Sequence, residues 1–347
     1  MTLELPVFHL GLGGFSPAQQ EVLSHAIENA SGPTQWQLGD LAGADAWWVN
    51  GARLQLLGQD RVRIGAGTSM EKSVQLYLPD VDRPVAFSLP ILCPQFEPAF
   101  TFEPASQPSI NAVLEKFDAW LSPLTAQFCL ASHIVEHQTA LGSGVFDVTV
   151  NGSLVAVVDL KGEIGVQPNI GPADFEQSFW RRRAGGSLSI PEHFVKASLS
   201  QLIWQYAVRT QRDVLPRHYR TGLLYFRRPP RLPQRVLKDS HLLIMRELAR
   251  EPATFENLLG RTRLEETTLA KDLAALYFVG AVTSNPKRAC INHRPPHAER
   301  ADGAAGPNSG LPSAMDTVPP VLPAPRRSRP VNDGTAPAAL GPNEGGW

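Results

Sequence analysis

The chain has 347 residues, 43% of them hydrophobic, with 31 prolines, three cysteines and a formal net charge of −1. That length predicts two or three domains with enough apolar material for real cores. Cys93, Cys129 and Cys290, an odd and scattered set without a CxxC pair, argue against a disulfide scaffold and for a reducing compartment. The opening MTLELPVFHL lacks a basic segment and carries Glu4, so no signal peptide is expected, and no apolar run approaches the roughly 20 residues that span a bilayer. The expectation is a soluble, cytoplasmic protein.

The mean charge hides an asymmetry. Residues 1–180 hold 7 Lys and Arg against 19 Asp and Glu, residues 181–238 hold 13 against 2, and residues 239–347 balance at 12 against 12. Such a division predicts either an anionic partner for the middle or its docking on the acidic N-terminal part.

Residues 5–10 (LPVFHL) read as a strand, and Gly11, Gly13 and Gly14 as a turn. Ser16-Pro17-Ala18-Gln19 is a helix start, with Ser at the cap, Pro first and Gln three after the cap. Strands are expected at 36–38, 46–49, 74–78, 85–89 and 99–102. An amphipathic helix is expected through Ile110, Val113, Leu114, Phe117 and Leu121. Strands and helices in this order predict a parallel-sheet α/β domain over 1–122.

A second helix is expected over 123–138 and a hairpin over 145–160 with Asn151-Gly152 as its turn. Helical segments at 172–182 and 193–209, a strand at 221–226 and the proline-broken linker 227–235 (RRPPRLPQR) complete a mixed α+β middle domain, 123–238. Helices at 240–250 and 255–260 follow. A third is expected to open on a capping box at Thr262–Glu265, and a strand at 278–282 closes a C-terminal module, 239–286. Residues 287–347 are rich in Pro, Ala and Gly without periodicity and predict a disordered tail.

The order of elements over 1–122 resembles a response-regulator receiver domain. The residues on which that family's chemistry rests are replaced here. The first strand ends in His9-Leu10-Gly11 without an acid, Asn50 stands at the phospho-accepting position, Ser88 ends the fourth strand, and Glu103-Pro104 replaces Lys-Pro. Without a carboxylate nucleophile, aspartyl phosphorylation has no route. The resemblance therefore implies a pseudo-receiver, an interaction module. A rival reading takes Gly11-Leu12-Gly13-Gly14 as a dinucleotide-binding turn with Asp40 as the ribose-binding acid, although Ser16 occupies the last motif position. The phrase PATFENLLGRTRLEETTLAKDLAALYFVGAVT resembles the winged helix-turn-helix of transcription regulators. The outward residues of its third helix would be Glu265, Glu266, Thr268, Lys271 and Asp272, net acidic, so that module is suited to protein as much as to DNA.

Three further sets carry chemistry. Arg181, Arg182, Arg183, Arg217, Arg220, Arg227, Arg228, Arg231 and Arg235 of the basic middle, with Arg261, Arg263 and Lys271, are candidate nucleic-acid or phosphate contacts. Arg227-x-x-x-Arg231 resembles half of the PilZ cyclic-dinucleotide signature, without the second half that should follow. His133-Ile134-Val135-Glu136-His137 matches the H-x-x-E-H pattern of inverted zinc peptidases, and Cys129 shares that helix face. These are weak metal candidates against an ordinary helix. The balance favours a non-enzymatic regulatory or signalling adaptor, without cofactor, acting on a protein partner, DNA or both.

Overall fold

The computed structural model describes residues 4–290 apart from 31, 33, 59, 68–72, 94, 138–140, 142–143 and 184–188, and apart from the Arg235 side chain. The tail expected to be disordered lies, from 291 on, outside the described residues.

The N-terminal sheet is parallel. It contains β1 (Val7–Gly13), β2 (Gln35–Gly39), β3 (Ala46–Val49), β7 (Val85–Ser88) and β8 (Thr101–Phe102), in the spatial order β2-β1-β3-β7-β8. Taken by rank along the sheet this is 2-1-3-4-5, the order of flavodoxin-like sheets. Among the described residues α1 (Pro17–Glu28) is the one α-helix joining two of these strands, and it is capped as expected: Ser16 accepts from the Gln19 N–H and Gln19 reaches back to the Ser16 N–H. No helix joins β2 to β3. The chain at 40–45 instead crosses the face of β1, and a Cβ on Gly11 would stand 2.8 Å from the Leu41 Cα.

Between β3 and β7 lies an antiparallel sheet of β4 (Leu54–Leu56), β5 (Arg61–Ile64) and β6 (Val74–Tyr77), in the order β4-β5-β6. The expected strand 74–78 thus belongs to this insertion, not to the parallel sheet. Leu54, Val62 and Ile64 bury against Val49 and Phe87 at one end of the main sheet.

The expected break at 122–123 is absent. Helix α2 runs unbroken over Gln107–Glu136, with Pro123 inside it. A proline inside a helix costs one backbone bond. Packing on two sides holds the helix regardless. Ile110, Val113, Leu114, Phe117 and Leu121 bury against the parallel sheet, while Phe128, Cys129, Leu130, Ala131 and Ile134 bury against the second sheet.

That second sheet is antiparallel, ordered β12-β9-β10-β11-β13, from β9 (Val145–Val150), β10 (Ser153–Asp159), β11 (Glu163–Val166), β12 (Phe179–Arg182) and β13 (Val195–Ser198). The β9–β10 turn is Asn151-Gly152, both at positive φ as a type I′ turn requires. Two expected helices are corrected. Only Pro172–Glu176 (α3) is helical before β12, and residues 193–209 divide into β13 and α4 (Leu199–Arg209). Edge pairing to β9 and β11 sets β12 and β13 as strands.

The third core gathers α4, α5 (Arg217–Thr221), α6 (Asp239–Arg250), α7 (Phe255–Thr262) and α8 (Glu266–Phe278), with β14 (Tyr225–Phe226) paired to β15 (Val282–Thr283). The expected capping box at 262–265 does not form. The Thr262 hydroxyl donates to the Leu258 carbonyl at 2.7 Å, and Arg263 ends α7 in the left-handed region at φ 55°. Glu265 caps α8. Among the described residues no helix is long and apolar enough to cross a membrane.

Candidate functional site: a cleft between the parallel sheet and the helices

The carboxyl edge of the parallel sheet is where flavodoxin-like folds bind ligands. Here that edge is filled. Asn50 and Ser88 do lie together at it, both buried. The Asn50 amide donates to the Gly14 carbonyl at 3.0 Å and its oxygen accepts from the Ala52 N–H at 3.1 Å. The Ser88 hydroxyl accepts from the Gly51 N–H at 3.2 Å. Ile64 and Gly65, from the inserted sheet, cover Gly13 and Gly14 closely enough that a Cβ on Gly14 would meet both at 3.0 Å. Glu103 is exposed, and its N–H donates to the Ser109 hydroxyl at 3.0 Å. The glycine run offers no phosphate turn either: Gly11 and Gly13 are part of β1, and Asp40 lies elsewhere, on the cleft described below.

On α2, His133 stacks on His137 with ring centroids 5.6 Å apart and packs near Phe175 and Trp180. The His137 Nδ1 lies 3.0 Å from the His133 carbonyl, and Glu136 is held by the Arg212 guanidinium. Burial, and secondarily His137, lowers the His133 pKa from its ordinary value of 6.5. Burial pushes the Cys129 thiol up to about 12. Among the described residues no group of three or more His, Cys, Asp or Glu is arranged to hold a metal ion.

The twelve basic candidates are scattered rather than assembled. Arg181 and Arg182 lie on the edge strand β12, and Arg183 pairs with Asp147 at 2.5 Å. Arg217 opens α5. Arg220 meets Asp213 at 2.7 Å and Glu266 at 3.6 Å over the Phe255 ring. Arg227 and Arg228 flank Gly280, Arg231 is exposed on the following loop, and the Arg235 side chain lies outside the described residues. Arg261 pairs with Glu251 at 2.6 Å, and Arg263 is the α7 C-cap. Of the twelve, Lys271 lines the recess beside α8 described below.

An open cleft of about 720 Å³ lies between the 39–45 loop, Asp82 and Arg83, the middle of α2, α4 and the start of α6. A recess of about 340 Å³ continues it toward α8, sharing His9, Val208, Lys238 and Ser240. Asp45 and Arg209 face one another across its floor at 2.5 Å, both largely buried. Asp45 also accepts from the His9 N–H at 2.9 Å. Burial alone would raise the Asp45 pKa, but Arg209 and His9 outweigh it and hold the carboxyl well below the usual range. Arg209 stacks over Phe8, 5.4 Å from the ring centroid.

At the back of the recess, the fully buried His241 accepts from the Lys238 N–H at its Nδ1 (3.0 Å) and sets its Nε2 3.1 Å from Asp272 on α8. With Nδ1 accepting, the ring proton sits on Nε2, beside the carboxylate. Against a burial penalty, His241 and then Ser240 lower the Asp272 pKa. Glu4 completes the joint, accepting from the Thr210 hydroxyl at 2.8 Å and pairing with Arg212 at 3.4 Å.

No family model, curated protein or solved structure matches the chain. The cleft therefore stands on its own chemistry.

Sequence reading did not single out Asp45, Lys238, His241 or Asp272 as a group. Each is a lone polar residue in an ordinary context, and the contacts that make a site of them are long-range.

Proposed function

We propose that this chain is a non-enzymatic regulatory adaptor of the cytoplasm. Its N-terminal part acts as a receiver-like module without aspartyl phosphotransfer. Its helices α6–α8 act as a winged helix-turn-helix module that meets protein rather than entering a DNA groove. The 2-1-3-4-5 strand order supports the receiver-like reading, as does the meeting of Asn50 with Ser88 at the carboxyl edge. Three successive helices with a short strand pair support the winged-helix reading.

The observation that carries the choice of partner is the burial of α8. A recognition helix needs an open face to enter the major groove. Here Leu269, Ala270, Asp272, Leu273, Ala274, Ala275 and Leu276 are all buried, and Asp272 is tied to His241. What α8 leaves exposed is its start, Glu266, Thr267 and Thr268, preceded by Glu265, an end whose charge repels phosphates. The test is a photo-crosslinking residue placed at Thr268 of the full chain in living cells. Adducts destroyed by protease and indifferent to nuclease are expected. Nuclease-sensitive adducts would overturn the reading in favour of DNA binding.

A further inference from the structure

We propose that the free edge of β6 takes an extended acidic segment of a partner protein as a fourth strand of the β4-β5-β6 sheet. This goes beyond the adaptor reading and does not depend on the receiver-like or winged-helix assignments. Among the described residues no strand pairs with β6 on its far side. The ladder shows which of its backbone groups face outward. The Leu57 N–H donates to the Arg61 carbonyl and the Gly65 N–H to the Arg53 carbonyl, both at 2.9 Å, so the odd positions from Arg61 to Gly65 bond toward β4. The even positions bond toward β6, as the Asp60 carbonyl does in accepting from the Leu78 N–H at 2.9 Å. Gln75 and Tyr77 lie opposite Arg63 and Arg61. Their N–H groups and the Gln75 carbonyl therefore turn away from β5, and among the described residues nothing bonds to them. Such a row is a template for another strand.

The side chains state what that strand carries. Arg53 and Gln55, Arg61 and Arg63, and Gln75 and Tyr77 stand exposed on one face of the sheet, and no strand position of that face holds a carboxylate. Arg61 lies over the Tyr77 ring, 5.8 Å from its centroid, Arg63 donates to the Ser73 hydroxyl at 3.1 Å, and Arg53 donates to the Ala66 carbonyl. Among the described residues none of the three is ion-paired. Asp60 and Asp80, the acids nearest in sequence, stand past the strand ends. Three of the seven cations of residues 1–180, against 19 acids, are thus gathered on one small face, which selects an anionic partner. Carboxylates on an added strand would lie two strand spacings from Arg61 and Arg63, roughly 10 Å, a gap that the two long side chains close between them. On the other face Val74 and Leu76 are half-buried, and Leu76 packs on the small core of Val49, Leu54, Val62, Ile64 and Phe87. Apolar side chains alternating with the acids would extend that core. A nucleic acid would meet the arginines but leave the main-chain edge unpaired, so the edge favours a peptide.

Fluorescence anisotropy of the full chain with a labelled decapeptide of alternating glutamate and valine tests this. Binding is expected, weakened by about tenfold or more in Arg61→Gln/Arg63→Gln, which removes two charged partners. Gln75→Pro should abolish it. A proline there deletes an outward N–H and no bond of the β5–β6 ladder, so the melting temperature should not fall. The same peptide with its backbone amides N-methylated should not bind the unaltered protein, a control that leaves the fold untouched. No binding of the acidic peptide, equal binding of its lysine counterpart or of the N-methylated copy, or undiminished binding to Gln75→Pro would overturn the proposal. Mixed-sequence single-stranded DNA that binds more tightly than the peptide, and is lost in Arg61→Gln/Arg63→Gln, would overturn it in favour of a nucleic-acid surface.

Discussion

The Arg209 guanidinium at the end of α4 stands 2.5 Å from the Asp45 carboxylate in the β2–β3 loop, across 164 positions of sequence. The loop can be there because Gly11 lets it cross β1. The pair joins the parallel sheet to the helical core beneath the cleft. Removing one member of a buried pair strands the other charge, which costs about 3–5 kcal/mol. Arg209→Met should lower stability by that order in urea titration. Adding Asp45→Asn should recover much of the loss. Equal loss in the single and double variants would show that the pair does not couple the two parts.

Asn50→Asp tests whether the receiver-like edge can be reawakened. Acetyl phosphate should leave its mass unchanged, because β1 supplies no acid to hold a metal and Ile64 and Gly65 occupy the crevice. The substitution also replaces the amide that donates to the Gly14 carbonyl with an oxygen. A buried carbonyl left unsatisfied costs about 1–3 kcal/mol, so Asn50→Asp should unfold at lower urea than the parent. A phosphorylated Asn50→Asp protein would mean that the crevice opens.

Much of the fold was legible where local chemistry decides it. Ser16 and Gln19 announce α1, and Asn151-Gly152 announces the β9–β10 hairpin. Ser198 and Gln201 form an equally good capping box for α4, and it divides the expected helix 193–209 at 199. Other elements are decided at a distance. Two helices were expected on either side of 122–123, yet two hydrophobic cores hold α2 as one helix through Pro123. Phe179–Arg182 reads as helix, yet the free edge of β9 and the packing of Trp180 on Phe146 make it a strand. The cleft was illegible for the same reason. Arginine density points to the basic middle, whereas the structure neutralises or disperses those side chains and builds the cleft from isolated residues of the first strand, several loops and three helices.

Cysteine reactivity reports the cores directly. Cys129 is fully buried with its thiol pushed up to about 12, while Cys93 and Cys290 are partly exposed. The thiolate is the reacting species. Native protein treated with iodoacetamide should gain modification at Cys93 and Cys290 only, by peptide mass spectrometry, with Cys129 reacting after denaturation. Rapid native labelling of Cys129 would show that α2 opens away from the second sheet.

His133 gives a pH dependence whose sign follows from its environment. Burial lowers its pKa in the fold below the ordinary 6.5, so the native state binds its proton less readily than the unfolded chain. The contribution is therefore fully present above the ordinary value and is lost as pH falls through it toward the depressed one. Urea midpoints should decline between pH about 7 and about 5, the range in which imidazole titrates. His133→Gln, which cannot acquire the buried charge, should flatten that decline without altering the loss at lower pH where Asp45 and Asp272, both held low in the fold, become protonated. An unchanged slope in His133→Gln would assign the decline to another group and remove His133 from the account.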